Sequence, residues 1–475
     1  MPPSNVPDTK VPSHTTQYLA TLAVCTGALS MGATLGYSSP AGPRMMANST
    51  SDDLTVTLSQ FNWVSSSPSL GGVAGGLMAG AGVDFVGRKG VILVFSPVFF
   101  LGWLMIALAR DVAMLLAGRL ACGLAAGAVS IAVPTFVGEI ASPDIRGLLG
   151  SVFQVMVTTG ILSVYVLGAA ISSWRILAGV FAGLPVLTFV AVLFLKESPL
   201  YLVSKGKEDE AAASLRFFRG KDYDASDELQ VLKESLEESR QRKASAKDLL
   251  KPHNLKPFLI VLGVFLLTQF SGITAILSYM SSIFQESGSN LPDDLSSSII
   301  AAVMVAVTLF SSALVDKAGR KALLVTSAAT MAVAFNMLGQ YFAGKESNRA
   351  WVDNAAWVPL ACLVVFVSAF SVGFGPIPWL LLGELFSPEV KGVAVSLVQV
   401  INWSTAFLTT LIFAPLQTSL GDSGMYLLFS GLCALALVFS AFLVPETKGK
   451  TLQEIAAHFG GSPVAGSSQG RRTEG

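Results

Sequence analysis

Asp84-Phe85-Val86-Gly87-Arg88-Lys89 and Asp316-Lys317-Ala318-Gly319-Arg320-Lys321 are two versions of one tag, 232 residues apart in a chain of 475. Each follows a pair of long apolar stretches and opens a third. A motif recurring at half the chain length points to two related halves. Two further pairs keep the same order and a similar separation. Glu139 is followed by Pro143, Arg146 and Gly147; Glu384, at identical offsets, is followed by Pro388, Lys391 and Gly392. Lys196-Glu197-Ser198 closes the sixth apolar stretch and Pro445-Glu446-Thr447 the twelfth. Three matches in register imply a duplicated unit of six segments.

Composition agrees. Hydrophobic residues make up 52% and charged residues only 13%, where a soluble chain carries about 25% charged. Spans of roughly 20 apolar residues account for the deficit. The fold class expected is an all-α polytopic membrane protein, with 12 transmembrane helices in two pseudo-symmetric six-helix bundles. Zero net charge argues against a nucleic-acid partner. Cys25, Cys122, Cys362 and Cys433 all fall inside apolar stretches, where small packing residues are expected, and no disulfide framework is read. No removable signal peptide is read before the first span.

The spans are predicted at 18–38, 61–83, 91–109, 112–137, 148–171 and 174–195, then 257–284, 297–315, 322–343, 357–383, 393–416 and 424–444. All must be helices, because lipid offers backbone groups no partner. The domains expected are an N-terminal tail (1–17), a first bundle (18–196), a linker (197–256), a second bundle (257–445) and a C-terminal tail (446–475). Placing both termini in the cytoplasm puts 25 of the 31 Lys and Arg residues there, as the positive-inside rule requires. In the linker, Leu229, Leu232 and Leu236 recur at helical spacing and predict short cytoplasmic helices. Asn48-Ser49-Thr50 is a glycosylation sequon in an outer loop. The tail after Phe459 is Gly/Ser-rich and is expected to be disordered.

Three features bear on function. Arg88 is placed to bridge to Glu139 near Arg146, and Arg320 to Glu384 near Lys391. A plain positive-inside loop would explain one tag; two tags, each with an acid and a base at a second helix end, suggest ionic clasps that open and close. The run Gly373-Phe374-Gly375-Pro376-Ile377-Pro378-Trp379 breaks the tenth span. Non-helical backbone at membrane depth must face protein or a wet cavity, and Trp379 beside it offers an aromatic face to the apolar side of a sugar ring. Finally, Gln154, Gln269, Thr274 and Asn402 are mid-span groups that can both donate and accept hydrogen bonds. One alone would serve as interhelical glue; their occurrence in both halves favours a cavity for a neutral polyol.

These residues resemble the sugar porter family of the major facilitator superfamily, from about Tyr18 to Phe459. The resemblance rests on Gly118-Arg119, Pro134 through Gly147, Gln154, Glu197-Ser198-Pro199, Gln269-Phe270-Ser271-Gly272, the Gly373–Trp379 run, Asn402-Trp403 and the stretch Pro445 to Leu452. Gly36-Tyr37-Ser38-Ser39-Pro40 resembles the subgroup of arthropod facilitated trehalose transporters and class III glucose facilitators. The resemblance implies sugar contacts at Gln154, Gln269, Trp379 and Asn402, and a cytoplasmic salt-bridge network of Arg88, Glu139, Arg146, Arg320, Glu384 and Lys391. The chain departs from the family at Thr268 (usually Gln), Thr274 (usually Asn), Met304 (commonly Asn or Gln) and Ser371 (often Glu in glucose facilitators). Phe136 and Leu200 also replace a Tyr and an Arg.

Proton-coupled members of the family carry an Asp in the first span, opposite the Arg of the fourth. Here those positions are Ser38 and Arg119. A proton relay needs an ionisable group in the membrane, and no span carries a mid-membrane Asp or Glu. The expectation is a facilitative carrier (uniporter) for trehalose or a hexose such as glucose, working as a monomer in the plasma membrane and needing no cofactor or metal. A proton-coupled symporter and a non-transporting sugar sensor are the alternatives. An enzyme is not expected, since His14, His253 and His458 all lie outside the spans and no nucleophile–base or metal cluster is present.

Overall fold

The computed structural model describes residues 14–47, 54–241, 248–249, 251–288, 291–386, 388–448, 450, 454 and 459. Asn48, the tail beyond Phe459 and the side chain of Lys391 lie outside them. All regular structure among the described residues is helical. In the first half, α1 (Thr15–Gly36) and α2 (Ser38–Met46) meet at Tyr37. Then come α3 (Leu58–Phe85), α4 (Arg88–Ala107), α5 (Val112–Ile140) and α6 (Arg146–Ala170), and the pair α7 (Trp174–Phe181) and α8 (Gly183–Leu193). The linker forms α9 (Pro199–Ser204), α10 (Glu208–Arg219) and α11 (Ser226–Gln241). The second half holds α12 (Pro252–Phe270), α13 (Ile273–Ser287), α14 (Asp293–Ala318), α15 (Arg320–Glu346), the short α16 (Trp351–Asn354), α17 (Val358–Val372), α18 (Ile377–Glu384) and α19 (Pro388–Phe442).

Among the described residues, ten helical stretches are long and apolar enough to cross a membrane. Two features separate that number from the twelve expected. The 28-residue α3 has glycines and serines that dilute its apolar content. The last two spans run together as α19, which bends at Gly421 (φ 70°, ψ 170°). The tenth span breaks between α17 and α18, as its prolines and glycines dictate. The seventh span, expected as one continuous helix over 257–284, is broken too, at Ser271-Gly272 between α12 and α13. Gly272 takes φ +80° there, which only glycine adopts without strain.

In the first half α5 packs on α3 and α4, while α1 packs on α6, α5 and α8; in the second, α12 and α15 pack on α19, and α17 on α14 and α15. The α3–α5 seam is backbone against backbone: a Cβ on Gly75 would lie 1.8 Å from the Leu124 carbonyl oxygen, and one on Gly123 2.1 Å from that of Pro68. Lipid does not drive helices together as water does, so such close approach supplies the attraction. Between halves, α3 meets α19, α6 meets α14 and α2 meets α13. The linker helices seat on the first half. Leu229, Leu232 and Leu236 cover Leu202, Val203 and Ala211, and Phe218 meets Phe136 edge-on.

The tag glycines set the turn into the third helix of each half. Gly87 (φ +88°) precedes α4 and Gly319 (φ +90°) precedes α15. At each turn the first backbone N–H groups of the helix face a glutamate from the end of the same half. Glu197 accepts from Lys89 N (3.1 Å), and Glu446 from Arg320 N (3.0 Å) and Lys321 N (3.1 Å). A carboxylate satisfies both the orphan donors and the positive end of the helix dipole. A Cβ on Gly87 would fall 2.2 Å from a Glu197 oxygen, and one on Gly319 2.6 Å from a Glu446 oxygen. Gly87→Ala or Gly319→Ala should therefore cost at least ~1–2 kcal/mol from the left-handed backbone alone, read as a lower melting temperature in detergent. Gly147→Ala, where a Cβ meets nothing within 4 Å, should leave melting unchanged.

Candidate functional site

Both tag arginines are held by the same set of groups. Arg88 Nε and Nη2 reach Glu139 Oε1 at 2.9 and 2.8 Å, and Arg320 Nε and Nη2 reach Glu384 Oε1 at 3.1 and 2.8 Å. Each Nη1 donates to a carbonyl five residues back, Val83 at 2.9 Å and Val315 at 3.3 Å. The second oxygen of each glutamate accepts a hydroxyl, from Ser198 or Thr447. The side chains are mostly buried, so each ion is matched by several hydrogen bonds, as a desolvated pair requires. Burial works against ionisation of Glu446, but backbone N–H groups of Lys448, Arg320, Lys321 and Thr447 hold its carboxyl below the usual range. Its stabilising effect is present above the ordinary carboxylate pKa and fades only as pH falls through the lowered value.

Each network lies wholly within its own half. Arg146 is exposed and donates to the Ala141 carbonyl at 3.5 Å; among the described residues the structure does not pair it with Arg88 or Glu139. Glu197, Glu446, Ser198 and Thr447 stand in the sequence as a repeated pair and within two of the stretches that carry the family resemblance, without being assigned to the network. That third repeat was the signal from which their place in the network could have been read.

A cavity with about 810 Å³ of empty space, its open mouth included, lies where the halves meet. It is lined by all five residues expected to touch substrate: Gln154, Gln269, Thr274, Trp379 and Asn402. Gln269 Nε2 donates to Asn402 Oδ1 at 2.9 Å, and Thr274 Oγ1 donates to Gln269 Oε1 at 2.8 Å. The break at Gly272 puts Gln269 and Thr274 side by side. Trp379 stands edge-to-face with Phe265, centroids 5.2 Å apart, and is 39% exposed. Met304 is also in the wall. The Thr268 hydroxyl turns back to the Val264 carbonyl at 2.8 Å. Among the described residues, no charged side chain lines the cavity.

The end opposite the tags is closed by bonds between halves. Arg44 pairs with Asp294 at 2.9 Å, Ser39 meets Ser281 at 3.0 Å, and Tyr279 donates to Asn62 Oδ1 at 2.8 Å. Tyr165 donates to the Leu277 carbonyl at 2.5 Å. Sequence reasoning missed this set, because nothing in the chain marks partners drawn from different halves. Deeper in the first half, Arg119 is buried and donates to the Val64 carbonyl (3.1 Å), the Thr34 carbonyl (3.0 Å) and Ser38 Oγ (2.8 Å).

Paired helical bundles around an uncharged central cavity define a membrane carrier for a small neutral solute. The chain belongs to the sugar transporter family: the family model described as "Sugar (and other) transporter" matches residues 20–459. It is 38% identical to a facilitated trehalose transporter of Polypedilum vanderplanki over 93% of this chain and 87% of that one. It is 39% identical to one of Bombyx mori over 93% and 86%. Its fold matches the xylose transporter XylE of E. coli in a partially occluded inward-open conformation, with a TM-score of 0.78 at 23% identity, covering 92% of this chain and all of that one.

Two substitutions, made singly and together, test the ionic network. Arg88→Ala and Glu139→Ala should each lower the melting temperature in detergent. The double variant should lose less than the two losses added, by a coupling of about 0.5–3 kcal/mol. Strict additivity would mean that the pair contributes nothing.

Proposed function

We propose that this chain is a facilitative sugar carrier, a uniporter for trehalose or a hexose such as glucose, working by alternating access. The reading places it as a monomer in the plasma membrane. The tag end and both termini lie in the cytoplasm, and Asn48 lies on the outer face, where a glycan can be added. No nucleic acid, metal or cofactor takes part.

The observation that carries this reading is the uncharged cavity. Gln154, Gln269, Thr274 and Asn402 present donors and acceptors to a polyol, and Trp379 presents a ring to its apolar face. Gln269 bonds to both Asn402 and Thr274, so these polar groups satisfy one another. A sugar replaces those bonds with its own hydroxyls. The substrate bonds are thus exchanged rather than gained outright, which suits a site that must release its load as readily as it takes it.

With the outer end closed by the Arg44, Ser39, Asn62 and Tyr165 ties, the cavity faces the cytoplasm. Reorientation requires those ties to part while the cytoplasmic ends approach. Arg88, Glu139, Arg320 and Glu384 act there as clasps that keep each half's tips in place. Arg146 and Lys391 supply charge on the facing tips and complete the gate.

Transport without protons is favoured by Ser38, whose hydroxyl occupies the place beside Arg119 that a titrating carboxylate would need. Counterflow into proteoliposomes with labelled trehalose, glucose and fructose identifies the substrate. Gln154→Ala and Asn402→Ala should each lower flux, by about threefold to tenfold for a lost hydrogen bond, with unchanged expression; undiminished flux removes them from the site. Uptake should leave lumenal pH unaltered, and acidification that follows sugar would establish the symporter instead.

A further inference from the structure

We propose that Arg44 and Asp294 form a charged latch that biases the unloaded carrier toward the orientation open at the tag end. The proposal rests on the sugar-carrier reading above and deepens it, by naming the residues that tilt the balance between the two orientations. Among the ion pairs that join described residues, this is the one that crosses between the halves. The others lie within one half or within the linker.

Both partners are held in place by their own half. Arg44 sits near the end of α2, and its Nη1 donates to the Ile171 carbonyl at 3.0 Å. Ile171 is the C-cap of α6, where backbone acceptors lack helical partners. That leaves Nη2 to reach Asp294 Oδ2, at 2.9 Å. Asp294 stands with Asp293 in the first turn of α14, where the helix dipole favours a carboxylate. When the halves part at this end, Arg44 keeps its bond to Ile171 and Asp294 keeps its place on α14. The contact that breaks is the one between them.

The other ties at this end are neutral: Ser39 with Ser281, Tyr279 with Asn62, and Tyr165 with the Leu277 carbonyl. Water gives each of those groups an equivalent partner when they separate. Opposite charges add a Coulomb attraction that acts at longer range and is screened by salt. The closing of this end therefore carries one component that responds to ionic strength. At the tag end the Arg88–Glu139 and Arg320–Glu384 pairs stay within their halves, so among the described residues no cross-half ion pair there opposes the latch.

The strength suits the task. The two side chains are 22% and 33% exposed, and a pair so open to water shifts a two-state balance by about twofold to fivefold. That sets a preference without a lock, and a carrier that must return unloaded cannot be locked.

Distances across the outer end test the latch. Ser59 in α3 and Ser419 in α19 are exposed at that end on opposite halves. Spin labels on Ser59→Cys and Ser419→Cys report their separation, since the native cysteines are buried. Dipolar distance distributions are recorded for the full chain in lipid nanodiscs without sugar. Asp294→Ala should raise the ratio of the longer to the shorter distance by about twofold to fivefold. Asp294→Glu keeps the charge, should stay near the parent ratio, and guards against a folding defect. Salt at about 1 M, where screening acts within about 3 Å, should raise the ratio in the parent protein and leave that of Asp294→Ala nearly unchanged. An unaltered ratio in Asp294→Ala, an equal rise in Asp294→Glu, or a parent ratio indifferent to salt would overturn the proposal. Absence of saturable trehalose and glucose flux in the parent protein would refute the carrier reading on which the latch rests.

Discussion

In each half a glutamate from the far end of six spans sits on the bare backbone N–H groups that begin the third. Glu197 does this at α4 and Glu446 at α15. The turn that exposes those donors needs a left-handed residue, and the carboxylate fills the space a Cβ would take. This one contact ties the last segment of the half back to its middle. Next to it, the tag arginine joins the end of the fourth or tenth span through Glu139 or Glu384, and the following Ser198 or Thr447 closes the ring. Three helix ends are thereby fixed to one another at one face. A half built this way can tilt as a unit, because its tips cannot splay separately.

The opposite face follows different rules. Its ties cross from one half to the other, and most are single hydrogen bonds between hydroxyls, an amide and a carbonyl. Each is worth about 0.5–1.5 kcal/mol net, and water replaces the lost partner when they part. The one ion pair among them, Arg44 with Asp294, is partly solvated and correspondingly weak. Strong networks within halves and weak ties between them are what a two-state carrier needs. Rigid-body motion breaks only what lies across the seam.

Much of this was legible in the sequence, and the reasons differ by residue. The tags, their distance and the Arg88–Glu139 and Arg320–Glu384 partners could be read because duplication wrote each of them twice. Two prolines announced the break in the tenth span. The break in the seventh was written only as Ser271-Gly272 inside an apolar run, and glycine is common enough in membrane helices to hide it. That break is what sets Thr274 against Gln269. The bond from Gln269 to Asn402 spans 133 positions, and no periodicity reports it. The ring closed by Ser198 and Thr447 was written only as a recurring pair in the third repeat; Ser198 also caps α9, and the sequence alone does not say which glutamate either hydroxyl meets. Arg146 was expected in the network because its offset from Glu139 matches that of Lys391 from Glu384, and because the family resemblance implies it. Instead it projects from the start of α6 into the open at the tag end.

Arg119 shows how far charge can be removed from such a scaffold. A guanidinium buried without a carboxylate beside it would ordinarily be driven out or paired. Here two backbone carbonyls and one serine hydroxyl take its donors, and the Tyr37 ring lies 5.5 Å from its carbon centre. The carbonyls come from α1 and α3 and the hydroxyl from α2, so the cation ties α5 to three other helices of the first half. It needs no carboxylate to be stable, and among the described residues none forms an ion pair with it. The same position that could drive a coupled cycle with an acid at Ser38 therefore serves here as a fixed rivet. What moves is left to the neutral groups of the cavity and the weak ties above it.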